Sequence, residues 1–193
     1  MKVNTLAGVD EVGRGALFGP VVAAAVIVPV SFIPTLRKLG VGDSKQLSAG
    51  RRQALVAPIR ELVLAWHISF ADVPTIETLN IRQASLLAMK RALLGLKHCP
   101  DWCLVDGRDE VPDLPFPQTA LIGGDRRSPV IGAASILAKV WRDNLMERLG
   151  DRFLGYDLKS NKGYGTLKHR QALASLGLTC LHRRHFCRKI FGP

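Results

Sequence analysis

The apolar residues of this 193-residue chain fall into short runs and helical stripes. Residues 5–10 form a short apolar run closing on acids, and residues 21–28 form a continuous, β-branched run closed by Pro29. Both predict strands, the second buried on two faces. Residues 66–71, 102–105 and 119–122 predict three more. Ser48 is placed to N-cap a helix reaching about Leu64, with Pro58 expected to bend or interrupt it. Ile76, Leu79, Ala84, Leu87, Ala88 and Leu94 recur at helical spacing and predict a helix over residues 75–96. Ser128 and Pro129 read as the N-cap and first residue of a helix through Leu149. A last helix over residues 167–176 stops at Gly177. Strands first, then strand–helix alternation, predict an α/β fold with a mixed sheet flanked by helices.

Composition narrows the function classes. Hydrophobic residues make up 47% of the chain, enough for a packed core and against disorder. The longest apolar run is far shorter than the roughly 20 residues that span a bilayer, and Asp10 and Glu11 interrupt any leader-like N-terminus. A cytoplasmic monomer without membrane contact is the expectation, with its four cysteines reduced; none forms a C-x-x-C pair. The formal net charge is +11, which favours a polyanionic partner. Residues 151–193 carry nine Lys and Arg against Asp151 and Asp157. That stretch is expected to form a basic C-terminal extension packed on a catalytic domain of residues 1–150, and to be the main electrostatic footprint.

Three predicted strands end in acids: Asp10-Glu11, Asp106 and Asp125. Sites in open α/β sheets gather beyond the carboxyl ends of strands. If these strands are neighbours, four carboxylates converge, and their repulsion is relieved by a divalent cation. An all-oxygen set suits Mg²⁺ or Mn²⁺ rather than zinc. The bland alternative is solvated loop acids. Adjacent strand residues face opposite ways, so Asp10 and Glu11 can share a site only if the regular strand stops at about Glu11, as Gly13 and Gly15 allow.

The run Gly13-Arg-Gly15-Ala-Leu-Phe-Gly19 is not a dinucleotide loop, because it leads into a strand rather than a helix. Its glycines, with Arg14, suit close approach to a sugar-phosphate backbone. Tyr164, between two glycines in Asn161–Thr166, could stack on a base or sugar, or be an ordinary exposed turn residue. Lys45, in Asp43-Ser-Lys45, could bind phosphate, or simply precede a helix. Cys180, His182, His185 and Cys187 lack zinc-finger spacing, and Arg183-Arg184 would oppose a cation there. No G-x-S-x-G elbow occurs, and Ser135 sits among small residues suited to close packing.

Together these segments resemble the type 2 ribonuclease H family, specifically the bacterial ribonuclease HII proteins. The resemblance runs in order through Gly8-Val-Asp-Glu-Val-Gly-Arg-Gly15, Gly19-Pro-Val21, Asp43-Ser-Lys-Gln-Leu-Ser48, Leu79-Asn-Ile81, Val105-Asp-Gly107 and Gly124-Asp125. It continues through Ala133-Ala-Ser-Ile-Leu-Ala-Lys-Val140, Arg142-Asp143, Asn161-Lys-Gly-Tyr-Gly-Thr166, His169 and His182-Arg-Arg-His-Phe186. The chain departs from the usual pattern at Val12, Ala16, Phe18, Gly123 and His185, none a proposed ligand; Ala16 and Phe18 bear on the shape of the substrate loop.

The resemblance implies a ribonuclease H-like fold, a five-stranded mixed sheet with flanking helices and a small C-terminal helical extension. It implies hydrolysis of the RNA strand of RNA–DNA hybrids and cleavage 5′ to single ribonucleotides embedded in duplex DNA, leaving 5′-phosphate and 3′-hydroxyl ends. It further implies that Asp10, Glu11, Asp106 and Asp125 are catalytic and bind Mg²⁺ or Mn²⁺, that Gly13, Arg14 and Gly15 sense the 2′-hydroxyl, and that Tyr164 reads the RNA–DNA junction. Asp143 and His169 are given supporting roles. Chemistry agrees: two metal ions can supply both an activated water and stabilisation of the leaving oxygen. The alternatives are a DNA-directed metal nuclease of the same fold and a non-catalytic hybrid-binding module; clustered acids speak against a pure polyanion binder.

Overall fold

The computed structural model describes residues 4–41 and 47–188. Five strands form one mixed sheet: β1 (Thr5–Val12), β2 (Val21–Pro29), β3 (Ala65–Ala71), β4 (Trp102–Asp106) and β5 (Gln118–Leu121), in the order β3-β2-β1-β4-β5. The first three pair antiparallel, while β4 joins β1 in parallel and β5 joins β4 in parallel. Around it lie helices α1 (Ile33–Lys38), α2 (Ala49–Leu62), α3 (Val73–Leu94), α4 (Gly124–Arg127), α5 (Pro129–Arg152), α6 (Leu158–Asn161), α7 (Leu167–Leu176) and α8 (Arg184–Cys187), with a short 3₁₀ turn at Val30–Phe32.

The central strands β1 and β2 are buried on both sides. Alternate residues Ala23, Ala25 and Ile27 meet α3 in one core, and Ala24, Val26 and Val28 meet α2 and α5 in another, as the two-residue strand period requires. A third core of Phe18, Met146, Tyr156, Leu158 and Leu173 welds the C-terminal segment to α5. Helix α5 lies directly on β1 at Gly8: a Cβ there would come 2.7 Å from the Val130 backbone. That contact requires glycine, and it brings the next turns of α5 alongside the end of β1.

Several expectations are modified. β1 continues to Val12, one residue beyond the expected stop, because β2 pairs with it through Val12–Val22. Pro58 lies inside α2 without ending it. Helix α3 begins at Val73, with Asp72 accepting from the Thr75 N–H, and breaks at Asn80 (φ 67°). The Asn80 side chain accepts from the N–H groups of Arg82 and Gln83 and so recaps the second half. Apolar periodicity carries no sign of this break, because the stripe resumes beyond it. Ser128 occupies the N-cap of α5 without a side-chain capping bond.

Candidate active site

The register of β1 and β4 builds the acidic wall of a cleft. Val9 pairs with Val105, the last paired residues of that parallel ladder, so Asp10 and Asp106 follow side by side. Glu11 comes next, along an edge that β4 no longer covers. One ligand oxygen from each of Asp10, Glu11 and Asp106 lies within 4.8 Å of the others. The strand therefore need not end at Glu11 for both acids to face the cleft.

Asp125 lies outside this group of three. Beyond β5 the chain turns at Gly123 (left-handed, φ 64°) into α4, whose first turn carries Asp125. The preceding N–H, that of Gly124, donates to Asp106 Oδ1 at 2.6 Å. Asp125 is thus buried in the turn that holds Asp106.

The acids are strained electrostatically. Burial, then the charges of Glu11 and Asp106, hold the Asp10 carboxyl well above its ordinary range; hydrogen bonds from Ser135 and the Glu11 N–H (2.7 Å) oppose this. Burial also raises Glu11, opposed by Arg14, whose Nη1 donates to Oε1 at 3.0 Å. Glu11 Oε2 is buried and accepts no hydrogen bond among the described residues. A buried anionic oxygen with open coordination, among like charges, fits a hard divalent cation.

The opposite wall is the glycine loop. Asp10, Glu11, Gly13, Arg14, Gly15, Asp106, Ser135, Lys139 and Tyr164 enclose a cleft of about 390 Å³. Gly13 has φ +89°, and a Cβ on it would come 2.2 Å from Arg142 Nε. The loop is flanked by two short bridges, Ala16 to Tyr164 and Phe18 to His182. Phe18 is fully buried, edge-on to Phe153 and His182, so this departure from the family pattern belongs to the third core.

Tyr164 is held by its backbone. Thr179 N–H donates to His182 Nδ1 at 3.0 Å, which leaves the His182 proton on Nε2. That N–H donates to His169 Nε2 (3.2 Å), and His169 Nδ1–H donates to the Tyr164 carbonyl (2.9 Å). Burial lowers both histidines, His182 to about 4 with help from its neighbour. His169 is thus hydrogen-bonded within the C-terminal segment. Above the ring, Arg142 and Lys139 lie 5.4 and 5.7 Å from the centroid.

Lys45 lies outside the described residues. Of the C-terminal cations, Arg183 is buried, Lys162 pairs with Glu147 and Lys159 pairs with Asp151, so the footprint is smaller than the charge count. Asp143 is engaged by Lys139 at 2.8 Å. Composition and spacing missed Ser135 as a partner of Asp10, and Lys139 and Arg142 as part of the site. A signal existed: these three recur at helical intervals, with Ser135 and Lys139 standing in the apolar first half of α5. The Cys180–Cys187 segment holds no metal-ligand cluster among the described residues; the acidic trio does.

The family model for ribonuclease HII matches residues 7–189. A ribonuclease HII of Synechocystis sp. is 63% identical over 185 residues, covering 96% of this chain and 97% of that protein. The ribonuclease H2 of Pyrococcus horikoshii superposes with a TM-score of 0.84 at 26% identity, covering 96% of each chain. The Archaeoglobus fulgidus ribonuclease HII, solved in complex with PCNA, gives a TM-score of 0.79 at 30% identity and 93% coverage of each.

Proposed function

The chain belongs to the ribonuclease HII family of endoribonucleases, which hydrolyse the RNA strand of RNA–DNA hybrids, and we propose that it also cleaves 5′ to single ribonucleotides embedded in duplex DNA. The observation that carries this reading is the meeting of three buried-to-half-buried carboxylates with a glycine loop in one cleft.

Asp10, Glu11 and Asp106 would hold the divalent cations, Mg²⁺ or Mn²⁺. Bound there, a pair of such ions supplies the acidity that makes water a nucleophile and the charge that stabilises a departing 3′ oxygen. Ser135 orients Asp10 by a hydrogen bond. The Gly124 N–H fixes Asp106, and Asp125, buried in the same turn, is the fourth proposed carboxylate of the metal site. Gly13, Arg14 and Gly15 bring backbone groups to the ribose, whose 2′-hydroxyl distinguishes RNA from DNA. Tyr164 offers a ring at the cleft edge for stacking on the sugar at the RNA–DNA junction. The products would carry 5′-phosphate and 3′-hydroxyl ends.

A duplex with one embedded ribonucleotide, resolved on a gel beside an all-DNA duplex, tests the reading with Mg²⁺, Mn²⁺ or EDTA. Cleavage confined to the ribonucleotide and abolished by EDTA is expected. Cutting of the all-DNA duplex would instead indicate a DNA-directed nuclease, and binding without cutting a non-catalytic module.

A further inference from the structure

Among the described residues, Arg142 and Arg183 are the two largest side chains with no solvent exposure, and neither forms an ion pair with a carboxylate. Their guanidiniums are bound to backbone carbonyls instead. Arg142 donates to Pro20 (3.1 Å), Lys162 (2.8 Å) and Phe18 (3.1 Å). Arg183 donates to Gly19 (2.9 Å) and Arg14 (2.8 Å), and its Nη2 is buried without a partner. Burying two cations side by side is unfavourable; burial and the Arg142 charge push Arg183 down to about 9. A turn could be held by neutral donors, so the arrangement calls for a return elsewhere.

Peptide geometry supplies one. No peptide bond among the described residues is cis, so each carbonyl and the following N–H point in opposite directions. Arg183 Nη1 draws the Arg14 carbonyl into the interior. The Gly15 N–H is thereby turned outward, and it donates to no group among the described residues. Gly15 lines the cleft beside the carboxylates, and a Cβ placed on it would meet nothing within 4 Å.

We propose that Arg183 is a positioning residue for ribose recognition: by gripping the Arg14 carbonyl it aims the Gly15 N–H at the 2′-hydroxyl oxygen of the ribonucleotide. Arg142 fixes the far end of the same loop through the Phe18 and Pro20 carbonyls. The inference rests on the reading of Gly13–Gly15 as the ribose-sensing loop. It makes discrimination depend on a residue that never touches the substrate.

The test measures binding without turnover, with Ca²⁺ replacing Mg²⁺. Affinity is compared for a duplex carrying one ribonucleotide and the same duplex carrying deoxyribose there, in the wild type and in Arg183→Lys. The lysine keeps the charge but loses the fork that orients two carbonyls. The wild type prefers the ribonucleotide, and Arg183→Lys loses about tenfold of that preference, the worth of one neutral hydrogen bond, with all-DNA affinity unchanged. Equal losses on both duplexes, or an undiminished preference, would overturn the inference while leaving the loop reading intact. No preference in the wild type would overturn the loop reading itself. Should the variant not fold, the wild-type Gly15 amide proton is followed by NMR. A shift with the ribonucleotide duplex but not its deoxy counterpart is expected, and identical spectra with the two would overturn the proposal.

Discussion

The two walls of the cleft are built by different means. The carboxylate wall is set by strand register: once Val9 pairs with Val105, Asp10 and Asp106 are neighbours. The glycine wall has no ladder of comparable length. It is a loop clasped between the Tyr164 segment and residues 181–183, and locked by guanidiniums from α5 and from the chain's end. The first wall concentrates charge that destabilises the fold and serves chemistry. The second concentrates hydrogen bonds that hold shape, and its chemistry is delivered through backbone groups.

This contrast predicts separate failures. Asp10→Asn should lower cleavage of an embedded ribonucleotide by on the order of 10³-fold or more, because it removes one of the carboxylates that would hold the cations. Filter binding of the hybrid should be largely retained. Asp125→Asn, the fourth proposed carboxylate, should also fall, by at least about tenfold, the loss expected even of a residue behind a ligand. Unchanged cleavage in Asp125→Asn would remove that residue from the site.

Arg142→Met should do the reverse. Three carbonyls lose their donor in a buried setting, and urea denaturation should show a loss of about 3 kcal/mol. A stability within 0.5 kcal/mol of wild type, about the scatter of surface substitutions, would show that the loop does not need its clasp.

The histidine relay gives the glycine wall its own pH signature. Both rings are neutral in the fold, and burial lowers them, His182 to about 4. The unfolded chain binds their protons below about 6.5, so their stabilising contribution is present above that pH and is lost as pH falls towards 4. Asp10 and Glu11 act in the opposite sense, because their raised values favour the fold on acidification. Thermal melts of wild type and His182→Gln between pH 7 and 4 isolate the relay. The difference between the two should shrink by about 1–2 kcal/mol on acidification, and a difference constant with pH would remove the relay from the account.

The smallest effect is on stability at the acidic wall. Asp10→Asn relieves buried repulsion, so the metal-free variant should melt about 2–4 °C above wild type, equivalent to about 1 kcal/mol. A lower melting temperature would mean that the Ser135 and Glu11 hydrogen bonds outweigh the charge.

Legibility in the sequence follows the same division. The five strands, the longer helices and the acids at strand ends could be read because alternation and strand termini are local patterns. Asp125 was placed with the others by the same rule; it stands in the first turn of α4, just past the turn at Gly123, rather than on β5 itself. Residues 13, 14, 15 and 164 could be singled out by glycine flanking. What clasps them could not be: Arg183 reaches a carbonyl 169 residues away, and the His169–His182 contact depends on tertiary packing. The C-terminal charge was read as a surface footprint, yet Arg183 is wholly interior. The break at Asn80 was invisible because the side chain that recaps the helix is polar and exposed.

The most direct measurement is Mn²⁺ titration of the free enzyme followed by calorimetry, in wild type, Asp106→Asn and Asp125→Asn. The account predicts binding by the wild type, and a loss of at least about tenfold in affinity for Asp106→Asn and for Asp125→Asn. Wild-type Mn²⁺ affinity in Asp106→Asn would contradict it.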